Sequence, residues 1–139
     1  MPKRIVDNFL YPELTYKIRG AMFKVHQVLG SGHKEKIYSK ALEQELKLQE
    51  LEFKTEKNLA VIYKGVSVGN YRPDFIVEEK VLIELKAMTV LPIQAERQLS
   101  YYLRGTTYKV GLLVNFGSSS LIIIRKIWDK GRPNQPNSV

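Results

Sequence analysis

The apolar residues of this chain change period after Leu51, and that change confines the fold to helices packed on a sheet. Leu14, Ile18, Met22, Val25 and Leu29 recur every three or four residues, the stripe of an amphipathic helix. Gly30-Ser31-Gly32 ends it. A second helical run is expected from His33 to about Leu51, with Ile37, Tyr38, Ala41, Leu42, Glu45 and Leu48 on its buried arc. Beyond Leu51 β-branched and aromatic residues take over, and 55–64, Tyr71–Val77 and Val81–Ala87 read as strands. Gly65 and Gly69-Asn70 punctuate a loop or bulge. Pro73 pushes the second strand to an edge or marks its irregular start. Pro92 opens a third helix, with Ala95, Leu99, Tyr102 and Leu103 on one face and Gly105 near its end. Tyr108–Phe116 is almost wholly apolar, a strand covered on both faces, and Leu121–Ile127 is the last strand. The order α-α-β-β-β-α-β-β predicts an α/β domain in which a central mixed sheet is flanked by helices.

With 139 residues the chain has room for one such domain, expected over 14–128, between an arm at 1–13 and a flexible tail at 129–139. It contains no cysteine, which excludes disulfides, thiolate metal sites and thiol nucleophiles. Apolar runs such as Leu121–Ile124 are far shorter than the roughly 20 residues of a membrane helix. The expectation is a soluble, cytoplasmic protein without a leader segment or a membrane partner. The formal net charge of +8 draws phosphate polyanions, although the basic residues are spread along the chain.

Chemistry concentrates in Tyr71–Lys86. In the strand Val81–Lys86, alternation puts Leu82, Glu84 and Lys86 on one face and Val81, Ile83 and Leu85 on the other. If Glu78-Glu79-Lys80 is a three-residue hairpin loop, Val77 pairs with Val81 and Asp74 falls opposite Glu84. Two carboxylates about 4 Å apart repel by about 4 kcal/mol at an effective dielectric near 20, so the pair asks for a cation. Oxygen donors suit Mg²⁺ or Mn²⁺. Lys86, on the face of Glu84, is placed to steady an attacking water or a phosphate oxygen, and the set suits hydrolysis of a phosphodiester. The same residues also fit a plain solvent-facing strand after a turn at Asp74.

Four further positions bear on this site. Glu35, in the first turn of the second helix, can point to the sheet edge or simply answer the helix dipole. Glu45, near the middle of an apolar arc, needs a partner. Gln98 and Tyr102 stand four apart on one face of the third helix, the first suited to orienting water and the second to reaching a phosphate or to filling the core. His26 and His33 are too few for a histidine-rich metal site.

Several patterns in order carry a resemblance. They are Gly32-His33-Lys34-Glu35-Lys36-Ile37-Tyr38, Tyr63-Lys64-Gly65, Gly69-Asn70-Tyr71-Arg72-Pro73-Asp74, Ile83-Glu84-Leu85-Lys86, Gln98-Leu99-Ser100-Tyr101-Tyr102-Leu103 and Gly111–Gly117. Over roughly 14–128 the chain resembles the GxxExxY protein family, within the PD-(D/E)XK nuclease-like superfamily, and the resemblance implies a restriction-endonuclease-like core. Carried over, Asp74 is the motif aspartate, Glu84 and Lys86 are the E-x-K pair, and Glu35 is the acid of the preceding helix. Gln98 and Tyr102 match a Q-x-x-x-Y pattern of some nuclease branches. Relatives often have Arg-Ala-Asp where this chain has Arg72-Pro73-Asp74, which leaves the acid in place. The implied activity is a nuclease using Mg²⁺ (or Mn²⁺) held by Asp74, Glu84 and Glu35, acting on DNA ahead of RNA, with a homodimer left open. The alternative is a non-catalytic nucleic-acid- or protein-binding module on the same fold, and a third, lower-ranked one is an enzyme of small phosphorylated molecules.

Overall fold

The computed structural model describes residues 9–129. Three helices and seven strands follow in the order α1 (Pro12–Leu29), α2 (Glu35–Leu48), β1 (Phe53–Thr55), β2 (Leu59–Tyr63), β3 (Val66–Tyr71), β4 (Phe75–Val77), β5 (Val81–Lys86), α3 (Ile93–Gly105), β6 (Val110–Asn115) and β7 (Ile122–Ile127). The helices fall where periodicity placed them. α1 opens two residues earlier than expected, with Pro12 in its first turn, where a missing N–H costs nothing. The rest of the expected arm, 1–8, and most of the expected tail, 130–139, lie outside the described residues.

Five strands stand before α3 where three were expected. The run 55–64 is broken by Glu56, whose φ of 52° turns the chain, so that β1 joins the main sheet and β2 leaves it. Lys64 and Gly65 both have positive φ, the geometry of a tight two-residue hairpin turn, and fold β3 back on β2. The register slips beside Val61, leaving a bulge near Gly69. Pro73, without an N–H to donate, separates β3 from β4. The main sheet runs β1-β4-β5-β6-β7, with β5 and β6 parallel and every other pair antiparallel, and β2-β3 forms a separate two-stranded sheet. α3 is the crossover that parallel β5 and β6 require.

Alternation in β5 divides the interior. Val81, Ile83 and Leu85 join Val110, Leu112 and Val114 of β6 beneath α1 and α2, whereas Leu82 meets Ile76, Leu103 and Tyr71 beneath α3 and the β2-β3 hairpin. β6 is buried throughout, as its sequence implied. In α2 the buried row is Tyr38, Leu42 and Leu46, one every fourth residue as ridge packing against α1 requires. Ile37 and Leu48, expected inside, are 44% and 65% exposed, and Glu45 is only half-buried, so it has no need of a core partner. α2 stops at Leu48 because Glu50 turns left-handed and the N–H of Leu51 reaches back to the Leu46 carbonyl.

The link between α1 and α2 is fixed by one ring. The Tyr38 hydroxyl donates to the Gly30 carbonyl and accepts from the His33 N–H at 3.2 Å, while its ring stacks on Phe116 with centroids 4.6 Å apart. Gly32, with φ of 108°, supplies the turn that brings Glu35 to the head of α2.

Candidate active site

The β4-β5 hairpin has the register that a three-residue loop dictates: Val77 pairs with Val81, Ile76 with Leu82 and Phe75 with Ile83. One step beyond lie Asp74 and Glu84, whose carboxyl groups are close enough for each to bear on the other's proton affinity. Asp74 lies in the bend after Pro73 and not in the strand, so its side chain can turn along the sheet edge. There Oδ2 accepts the backbone N–H of Leu85 at 2.7 Å. Glu84 accepts a hydrogen bond from the Tyr71 hydroxyl, and Tyr71 stacks on Tyr102 with centroids 3.7 Å apart and planes 7° from parallel. The last residue of β3 thus meets β5 at the Glu84 carboxylate, and α3 backs the Tyr71 ring.

The electrostatics follow from burial. Glu84 is pushed up to about 7, first by loss of water around it and then by the negative charge of Asp74, against the opposing pull of the Tyr71 hydroxyl and of Lys86. Asp74 is raised by burial, and the Leu85 N–H and Lys86 oppose that rise. Glu84 is therefore partly protonated near neutral pH, the behaviour of a crowded and partly buried carboxylate. Burial, together with the negative charges of Glu84 and Asp74, pushes the Tyr71 hydroxyl far up, which keeps it a donor.

Asp74 opens onto a cleft of about 490 Å³ that it shares with Glu35, Lys36 and Lys40 of α2 and with Glu56. Of the expected site residues, the hairpin brings Asp74, Glu84 and Lys86 together, and Tyr102 reaches the group through the Tyr71 ring. Glu35 faces the same cleft from an exposed position, yet it does not close with Asp74 and Glu84 into a metal-holding group of three acids among the described residues. Gln98 is exposed on α3. A larger hollow, about 1050 Å³, lies on α1 and is lined by none of these residues.

Two contributors went unread in the sequence. Tyr71 was hidden because its partners come from another sheet and from α3, although an aromatic directly before Arg72-Pro73-Asp74 was a usable sign. Asn115, a lone amide ending an apolar strand, was the other. Fully buried, it accepts the Met88 N–H at 2.9 Å, donates to the Met88 carbonyl at 2.9 Å, and so clamps the chain leaving Lys86. Gly117 completes the clamp, since a Cβ there would lie 2.3 Å from the Met88 nitrogen.

A family model for the PD-(D/E)XK nuclease superfamily matches residues 12–126. The chain belongs to that superfamily. Its mixed sheet, with an acid pair at the β4-β5 hairpin and helices on both faces, agrees with the nuclease fold. The match is to the superfamily and does not reach the GxxExxY family within it. No curated protein and no solved structure matches the chain. Nucleases of this superfamily generally use divalent metals, and a nucleic-acid substrate is the coarse expectation that membership carries. No helix among the described residues is long and apolar enough to cross a membrane.

Proposed function

We propose that the protein is a divalent-metal-dependent nuclease that hydrolyses phosphodiester bonds, with DNA favoured over RNA. One observation carries the reading: Asp74 and Glu84 stand one step beyond the Phe75–Ile83 pair in a partly buried place, each carboxyl group held by a hydrogen bond, with Lys86 acting on both. Donor chemistry fits Mg²⁺ or Mn²⁺, since both side chains offer hard oxygens and the crowding of two acids favours a cation beside them. Asp74 and Glu84 would hold the ion, with Glu35 contributing from across the cleft. A bound divalent ion would supply Lewis-acid polarisation of the phosphoryl group and a lowered pKa for its water.

The remaining work falls to the chain. The Leu85 N–H fixes the Asp74 carboxylate, and the Tyr71 hydroxyl fixes Glu84. Lys86 offers an ammonium against negative charge developing on the phosphate. Lys36 and Lys40 along the cleft attract the flanking backbone, and Gln98 and Tyr102 would shape the approach from α3. Incubation of plasmid and short duplexes with Mg²⁺ or Mn²⁺ should yield cleavage by wild type that is lost in D74A and K86A. Equal cleavage by wild type and D74A would assign the activity to a contaminant.

A second reading, a binding module without turnover, draws on the lack of a three-acid metal group among the described residues. It predicts binding of nucleic acid with no divalent-ion dependence, and equally so in D74A.

A further inference from the structure

The outward face of α1 carries a pattern that neither the core nor the acidic cleft uses. Ile18, Ala21, Met22 and Val25 face the interior. On the opposite side, at 3.6 residues per turn, Tyr16, Gly20 and Phe23 form one stripe. Tyr16 is 79% exposed and Phe23 56%, although both are large rings on a helix with polar positions to spare. Nothing lies within 4 Å of where a Gly20 side chain would begin, so the floor between the rings is open. Lys17 and Lys24 rise on one flank of the stripe and Arg19 on the other, and all line the same hollow. Glu13 is the acid of that lining, and none of the three cations is ion-paired among the described residues.

Aromatic faces between rows of cations are what an unpaired nucleic-acid strand requires: phosphates meet the cations and bases stack on the rings. Seven residues at 1.5 Å each separate Tyr16 and Phe23 by about 10 Å along the axis. That is about three nucleotide steps of 3.4 Å, so one strand running along the helix can reach both rings. A second copy of this chain is disfavoured on the same face, since each copy would bring three cations into the contact and only Glu13 to offset them. We propose that this face of α1 is a stacking platform for single-stranded nucleic acid, separate from the acidic cleft. The proposal rests on nucleic acid being the partner of the acidic site.

The geometry relates the two places. Gln49, just past the end of α2, borders the platform, and Glu35, its first residue, borders the cleft. Fourteen residues of helix put these ends about 20 Å apart. A strand of about six nucleotides at 3.4 Å per step spans that distance, so one strand can occupy both.

The test uses the full chain carrying D74A, so that binding is read without cutting. Fluorescence anisotropy with a labelled oligothymidylate of about fifteen nucleotides compares this parent with Tyr16→Ala/Phe23→Ala, with Lys17→Glu/Lys24→Glu, and with Gly20→Leu. Gly20→Leu fills open space and should raise helix propensity, so misfolding cannot account for its effect. All three should weaken binding, the aromatic pair by about ten- to a hundredfold. The charge pair should also flatten the salt dependence. A blunt duplex of equal length should lose much less affinity through the aromatic pair than the single strand does. Unchanged single-strand affinity in the aromatic and Gly20 variants would overturn the platform while leaving the cleft reading intact. A parent that binds no nucleic acid, with a wild type that cuts none, would overturn both.

Discussion

The rings of Tyr71 and Tyr102 lie nearly parallel, 3.7 Å between centroids, and the Tyr71 hydroxyl is hydrogen-bonded to Glu84. Ring and hydroxyl have separable tasks. Tyr71→Phe keeps the stack and should cost about 1 kcal/mol. Tyr71→Ala removes a buried ring and should cost about 3–5 kcal/mol. Because the hydroxyl favours the charged form of Glu84, its removal should also reduce the stabilisation that Mn²⁺ gives at pH 7. Urea unfolding with and without Mn²⁺ reads both effects. Equal losses for the two variants would show that the hydroxyl and the ring are not separable.

Glu84 makes metal-free stability depend on pH in a definite direction. Its folded pKa, about 7, lies above the ordinary value of 4.5, so the folded protein binds the proton more tightly. The associated stability is complete below about pH 4.5, declines between 4.5 and 7, and is gone above 7, a change of about 3 kcal/mol. Glu84→Gln should remove the Glu84 share of this slope and leave that of Asp74, which burial also raises, matching wild type near pH 4.5 and equalling or exceeding it at pH 8. It should also lose most of the melting-temperature increment given by Mg²⁺ or Mn²⁺ beyond that of Na⁺ at matched ionic strength. A wild-type slope that survives undiminished in Glu84→Gln would place the titrating group elsewhere.

Asp74 has a structural duty besides any ion. Asp74→Ala leaves the half-buried Leu85 N–H without its acceptor and should cost about 1–3 kcal/mol, whereas Asp74→Asn retains an oxygen there and should cost less. Thermal melts of the two without metal separate this duty from the catalytic one. Equal destabilisation by both would mean that the charge, and not the hydrogen bond, holds the bend.

Gly117→Ala would set a Cβ 2.3 Å from the Met88 nitrogen and 2.5 Å from the Ala87 carbonyl carbon, both backbone atoms that cannot step aside alone. The loop after β5 should shift, at a cost of about 1–3 kcal/mol or more. Hydrogen exchange at 86–90 should rise. Unchanged exchange there would show that the strain is relieved on the 117–120 side.

The helices, the buried strand β6 and the β4-β5 register were legible because each rests on a local period or a loop length. The pairing of Phe75 with Ile83, one step short of Asp74 and Glu84, followed from three residues, Glu78-Glu79-Lys80. The division of 55–77 was not legible, since Glu56 takes a left-handed conformation that its side chain does not advertise. The rotation of α2 was missed for another reason: Tyr38, Leu42 and Leu46 are selected by the ridges of α1, which a single helix's pattern does not contain. Tyr71 and Asn115 act across segments far apart in sequence, so only the assembled sheet shows their roles.

The short hairpin between β4 and β5 has a consequence for the order of folding. Val77 and Val81 close over three residues, an event of about 1–10 μs for a hairpin. Val81 finds Val110 only after the whole of α3 has been looped out, a slower closure of a non-local contact. In that order the two acids would meet while water still surrounds them, when their mutual repulsion is weak. The larger electrostatic penalty arrives with the late docking of β6 and α3, so neutralising Glu84 should speed the final step of assembly and leave the first unchanged.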